Sequence, residues 1–172
     1  MEDIPDALGL ADIDHFAQFI RGTRVPPRDM VLAMTANAAT GKSLFNSTGC
    51  AICHVSTLTT LPPGSVINAG AYTVPAALGN KTFHPYGDFL LHDVGTGDGI
   101  VQTTGFYETA KELRTAPLWG LRTKSRFMHD LKSLSVESAI TRHKNEAADV
   151  EQKFSDLSPS DKQDLLDFLN SL

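Results

Sequence analysis

Hydrophobic positions recur at helical spacing in four stretches of the chain and lose that rhythm across a long middle segment. The first stretch, Asp12 to Arg21, repeats Ile13, Phe16, Ala17 and Ile20 before Gly22 ends it, and Pro26-Pro27 breaks the chain beyond. The second, from about Asn37 to Ser47, carries Ala38, Leu44 and Phe45 and stops at Gly49. The third starts at Ser135, whose hydroxyl suits an N-cap, and puts Val136, Ala139, Ile140 and His143 on one face. The fourth opens with Ser158-Pro159, a cap followed by proline at the first helical position, with Leu165, Phe168, Leu169 and Leu172 as its stripe. From His54 to Glu108 the chain is rich in Gly, Pro, Thr and Asn, which predicts an irregular loop of functional or cofactor-covering character. Short strands fit only at Thr82–Phe83 and Phe89–Leu91, with a turn over Gly95–Gly99. The pattern predicts an all-α fold, with an N-terminal helix and linker over 1–36 packing on a domain over 37–172.

Composition narrows the reading. A chain of 172 residues fits one domain with a real core. The net charge of −5 leaves no basic patch, so nucleic acid is not an expected partner. The longest apolar run, Met30 to Ala39, is interrupted by Thr35 and Asn37 and falls short of the roughly 20 residues of a membrane span. The first residues lack the basic and apolar regions of a secretion signal, so the chain reads as a mature fragment, a product with its leader replaced, or a piece of something longer.

The chemistry is concentrated in Cys50-Ala51-Ile52-Cys53-His54, the C-x-x-C-H sequence that attaches haem. Two thiols at this spacing add across the two vinyl groups of the porphyrin, and the next residue is thereby held beneath the iron. A zinc site would need a second pair of ligands, and the chain has no other cysteine. A redox dithiol would need a βαβ setting, which the pattern lacks. The preceding Gly41-Lys42-Ser43-Leu44-Phe45 supports haem: the glycine permits close helix approach and Phe45 packs near the cofactor. The last helix, with Phe168 and Leu169, is the natural partner to cross at Gly41. The expectation is a cytochrome c-like domain with one covalent haem c. Because such attachment takes place outside the bacterial cytoplasm, the expected location is periplasmic or otherwise exported.

Further stretches narrow the family: His84-Pro85-Tyr86, Asp88-Phe89-Leu90-Leu91-His92-Asp93, Arg114-Thr115-Ala116-Pro117-Leu118-Trp119-Gly120-Leu121 and Arg126-Phe127-Met128-His129-Asp130. With Ser138-Ala139-Ile140 followed by His143, and Leu157-Ser158 to Phe168-Leu169, the chain resembles the C-terminal haem domain of the di-haem thiol oxidoreductases, relatives of bacterial di-haem cytochrome c peroxidases. Two departures stand out. Family members carry two haem motifs, and the peroxidatic haem belongs to an N-terminal domain of which nothing is present here. A glycine usually follows the His-Asp pair where this chain has Leu131, which predicts a loop of different shape.

His54 is one expected axial ligand, and His143 is the first choice for the other. The resemblance implies that the related peroxidases hold a methionine at the corresponding place, so histidine there implies bis-histidine ligation and a lower potential. Met128 is the rival ligand. Pro117 is expected against the haem on the His54 side, where its carbonyl or a neighbour's would accept the His54 ring N–H. Leu118 and Trp119 would wall the porphyrin, and Arg114 and Arg122 either pair with propionates or stay solvated. His92 and His84 are expected to anchor the loop by hydrogen bonds, His129 to bond Asp130 or the backbone, and His15 to face solvent.

The leading expectation is electron transfer by a six-coordinate, low-spin, bis-histidine haem, with a redox protein or a second haem domain as partner. The alternative is the haem domain of a di-haem peroxidase or thiol oxidoreductase, enzymatic only in a longer context.

Overall fold

A computed structural model describes residues 4–102 and 104–172. They form two compact units, one of residues 4–25 and 59–82, the other of 26–58 with 83–102 and 104–172. The all-α expectation is corrected. The described residues are 42% helical and also contain six two-residue strands in small sheets. The helices are α1 (Asp12–Gly22), α2 (Met30–Ala33), α3 (Ala36–Thr48), α4 (Val136–Thr141), α5 (Ala148–Ser155) and α6 (Pro159–Asn170). The strands are β1 (Leu58–Thr59), β2 (Val66–Ile67), β3 (Tyr72–Thr73), β4 (Thr82–Phe83), β5 (Leu91–His92) and β6 (Leu113–Arg114). The middle segment cannot sustain a helix, yet its backbone groups still need partners. Short ladders between distant pieces of the loop supply them.

In the first unit, β2 and β3 pair antiparallel, Val66 opposite Thr73 and Ile67 opposite Tyr72. The Arg21 guanidinium at the end of α1 lies 4.2 Å over the Tyr72 ring. Asp14 reaches back to accept the Ala11 N–H (3.0 Å), starting α1, while Ile13, Phe16, Phe19 and Ile20 remain exposed.

The second unit is built on α3 and α6, which pack more extensively than any other pair of described elements. A Cβ at Gly41 would overlap the Asp164 carbonyl, so only glycine allows this approach, at the crossing the sequence predicts. Around it Phe45, Tyr86, Leu121, Phe154, Leu165, Phe168, Leu169 and Leu172 form one buried cluster. The predicted caps are in place: Ser135 Oγ accepts the Ser138 N–H (3.0 Å) and Ser158 Oγ the Asp161 N–H (3.2 Å). β5 and β6 pair antiparallel, His92 opposite Leu113, and so fix the loop that follows the core. No described helix is long and apolar enough to cross a membrane.

Candidate functional site

The site begins where α3 ends. Gly49 takes φ +103°, a left-handed conformation that favours glycine, and turns the chain into a short helical turn at Cys50–Ile52. The His54 N–H donates to Cys50 O (3.0 Å), so thiols and imidazole lie on one tight turn. Both thiols are free. Burial pushes the Cys50 thiol up, and burial together with the Asp88 and Glu146 carboxylates pushes up that of Cys53. A redox-active dithiol needs a thiol shifted the other way, toward the thiolate.

The segment 86–88 clasps this turn. Gly87 N–H donates to Val55 O (3.0 Å) and Asp88 N–H to Cys53 O (2.9 Å). Between them the Tyr86 carbonyl accepts the His54 Nδ1–H (2.9 Å). Tyr86 sits at φ +51°, and its ring packs edge-on against Phe45 and Phe168, with centroids 5.9 and 5.7 Å away. The core therefore holds the ring while the strained backbone presents the carbonyl. This is the orienting acceptor, in place of the carbonyl expected at Pro117 or beside it. Pro117 runs next to Gly87, and the following N–H, of Leu118, donates to Pro85 O (2.9 Å). Burial pushes the His54 imidazole down to about 4, against the opposing pull of the Tyr86 carbonyl, and nearby His143 adds to the fall. The ring is neutral at pH 7, with a lone pair on Nε2, an atom that has no hydrogen-bond partner among the described residues.

His143 lies in the turn after α4, beyond the helical face where the sequence predicted it. The cause is local: its Nδ1–H donates to Ala139 O (2.8 Å), and its backbone N–H closes a tight turn on Ile140 O (3.0 Å). Its Nε2 is likewise without a partner among the described residues.

The remaining predicted residues divide. Phe45 is buried, its ring centroid 6.4 Å from that of His54. Leu118 packs on the core cluster, and half-buried Trp119 lies 6.3 Å from the rings of Phe83 and Phe89. Met128 is half-buried at φ +64°. Arg122 donates to Leu172 O (3.0 Å) and Pro27 O (2.8 Å), which makes it a clamp for the chain, while Arg114 is exposed. His129 faces Asp98 at 3.7 Å, because Asp130, its expected partner, is held by Arg142 at 3.0 and 2.6 Å. His84 Nδ1 lies 3.0 Å from the Thr57 hydroxyl, and His15 pairs with Asp6 at the surface. His92 sits between Asp88 (Nε2–H to Oδ2, 2.9 Å) and Glu146 (Nδ1–H to Oε2, 3.0 Å), with Cys53 Sγ 3.9 Å from Nδ1. The carboxylates raise its pKa. No role was expected for Tyr86, Asp88, Glu146 or Arg142; Tyr86 and Asp88 stand in the motif stretches that carry the family resemblance, and the i, i+4 spacing of Asp88 and His92 was a further signal.

These residues fit a haem. Two free thiols flank the turn that carries His54, and two imidazoles have their Nδ1–H groups engaged by carbonyls, leaving Nε2 for a metal. The family profile described as "Di-haem oxidoreductase, putative peroxidase" matches residues 11–172. The chain belongs to the di-haem oxidoreductase family. The resemblance read from the motifs is thus borne out, and a haem-binding redox function follows. Among solved structures, this di-haem oxidoreductase domain resembles a hydrazine synthase of Kuenenia stuttgartiensis determined under xenon pressure. The TM-score is 0.53 at 20% identity, over 87% of this chain and 50% of the other. At that identity the likeness is one of fold, and the domain spans about half the length of that relative. No curated protein matches the chain.

Proposed function

We propose that the chain is a c-type cytochrome domain that holds one haem covalently through Cys50 and Cys53, with His54 and His143 as axial ligands, and that it transfers electrons. One observation carries the reading: two histidines from distant parts of the second unit have the same arrangement, Nδ1–H fixed on a backbone carbonyl and Nε2 left open. When bound, haem supplies an iron that gains or loses one electron. The chain's own residues do the rest. Tyr86 and Ala139 carbonyls set ring orientation and raise ligand basicity, and Phe45, Leu118 and Trp119 with Pro117 supply apolar surface against water. Histidine at both axial positions gives a lower potential than a histidine–methionine pair. Met128 is the alternative sixth ligand.

The protein is expected in an exported compartment, and its partner is a redox protein or a second haem domain. A chain of net charge −5 suits a basic partner. The test is the spectrum and mass of the purified holoprotein. Covalently added tetrapyrrole and a low-spin near-infrared signature of two imidazoles support the reading. A second reading, the haem domain of a longer di-haem peroxidase or thiol oxidoreductase, is favoured by the family match. A high-spin ferric form that binds cyanide readily and turns over peroxide would favour it.

A further inference from the structure

The turn after Cys53 and the turn holding His143 are remote in sequence but joined by one run of hydrogen bonds. At one end Asp88 is fixed to the haem-attachment turn by its N–H on Cys53 O (2.9 Å), and its carboxylate is steadied by the Leu90 N–H (2.9 Å). At the other end Glu146 follows His143 by three residues, and its Oε1 accepts the Asp93 N–H (2.9 Å). His92 fills the gap, donating from Nε2 to Asp88 (2.9 Å) and from Nδ1 to Glu146 (3.0 Å). Ionised carboxylates only accept, so both ring nitrogens donate, and the rigid ring sets the distance between the two acids.

The His143 turn has little else to hold it on this side. Lys144, Asn145 and Glu146 are exposed, and Asn145 sits at φ +51°. Besides the Glu146 carboxylate, the turn's ties to the loop after His92 are Lys144 N–H to Val94 O (3.1 Å), Glu146 N–H to Asp93 O (3.1 Å) and Asn145 Nδ2 to Asp93 Oδ1 (2.8 Å), while on the helical side Lys144 Nζ donates to Glu151 (3.1 Å) and His143 Nδ1 to Ala139 O (2.8 Å). The first three end on the loop that follows His92, so that side of the arrangement is as stiff as the loop's anchoring. Among the described residues, only the imidazole links the loop by side chain to Asp88 and so to the turn of Cys53 and His54.

We infer that His92 is a positioning residue: by bridging Asp88 to Glu146 it fixes the His143 turn against the His54 turn and keeps His143 seated as the second axial ligand. The inference rests on the bis-histidine reading above. With both ring nitrogens on carboxylates, His92 would act through His143, limiting how often that ring swings away.

The test uses the full-length holoprotein and follows ferric cyanide binding by stopped flow, beside the near-infrared spectrum. His92→Gln keeps one donor and loses the other, and Glu146→Gln removes the charged acceptor at an exposed position. Each variant is expected to retain covalent haem by mass and to bind cyanide at least ten-fold faster. The double variant should be no faster than the faster single one, since both break the same bridge. Wild-type cyanide rates in Glu146→Gln would overturn the inference, as would single effects that multiply in the double variant. His143→Ala separates this failure from failure of the underlying reading. If His143→Ala opens the iron to cyanide while the bridge variants do not, only the role of His92 falls. If His143→Ala leaves the spectrum and the cyanide rate unchanged, the bis-histidine assignment falls with it.

Discussion

Asp130 receives both Nη atoms of Arg142, which holds its carboxyl down at about 2, while Arg142 also donates to the buried Ser133 hydroxyl at 2.9 Å. A folded pKa below the unfolded value of 3.8 means that the stabilisation is present above about pH 4 and lost as pH falls toward 2. Thermal midpoints of the wild type should therefore drop over that window more steeply than those of Asp130→Asn; parallel curves would disprove the link. One residue on, Leu131 occupies φ +56° where the family resemblance leads one to expect glycine, so the chain keeps a glycine-like turn without the glycine. Relief of that strain should make Leu131→Gly more stable by about 0.5–1 kcal/mol, measurable by urea unfolding. Asp130 was paired in prospect with its neighbour His129, so its clasp by Arg142 was not legible beforehand. Leu131 was singled out as a departure from the family's glycine and taken to mean a loop of different shape, and the left-handed φ shows instead a backbone that glycine would also suit.

Among elements, the crossing of α3 and α6 is the most exacting contact. Gly41→Ala places a methyl group inside the Asp164 carbonyl and close to the Phe168 side chain, so the helices must part. We expect a loss of about 3 kcal/mol in chemical denaturation, against about 1 kcal/mol for Ser158→Ala, which only removes the cap of α6. The caps of α4 and α6 were readable because they depend on residues three positions apart, and the crossing, though it joins distant segments, was readable from the glycine and aromatic pattern before Cys50. α5 was not, because its only buried residue is Phe154 and its start has no side-chain cap. Of the short strands, β4 stands where Thr82–Phe83 was expected and β5 overlaps the expected Phe89–Leu91, whereas β1, β2, β3 and β6 escaped, because two residues have no period and their partners are chosen by tertiary proximity.

On the scale of the molecule, the turn of Cys50, Cys53 and His54 was legible because the three residues lie within five positions of one another. Its supports come from elsewhere in the chain. The Tyr86 carbonyl is a backbone group, and Glu146 gains meaning only once the loop folds against it. His143→Met should keep a low-spin haem and raise the midpoint potential, since thioether replaces imidazole; an unchanged potential would remove His143 from the iron. With a net charge of −5, electron exchange with a cationic redox protein should slow as salt is added, and a rate insensitive to ionic strength would argue against electrostatic docking.

The paired carboxylates on His92 carry one more consequence, this time for folding. If haem is attached as proposed, several imidazoles of the unfolded chain could reach the iron, and a wrong capture would be a kinetic trap released only when that bond breaks. Once Asp88 and Glu146 have closed on His92, neither of its nitrogens retains a lone pair to offer. The two acids thus withdraw one competitor from the contest as the loop forms, and refolding of Glu146→Gln should show a larger slow phase from misligated chains.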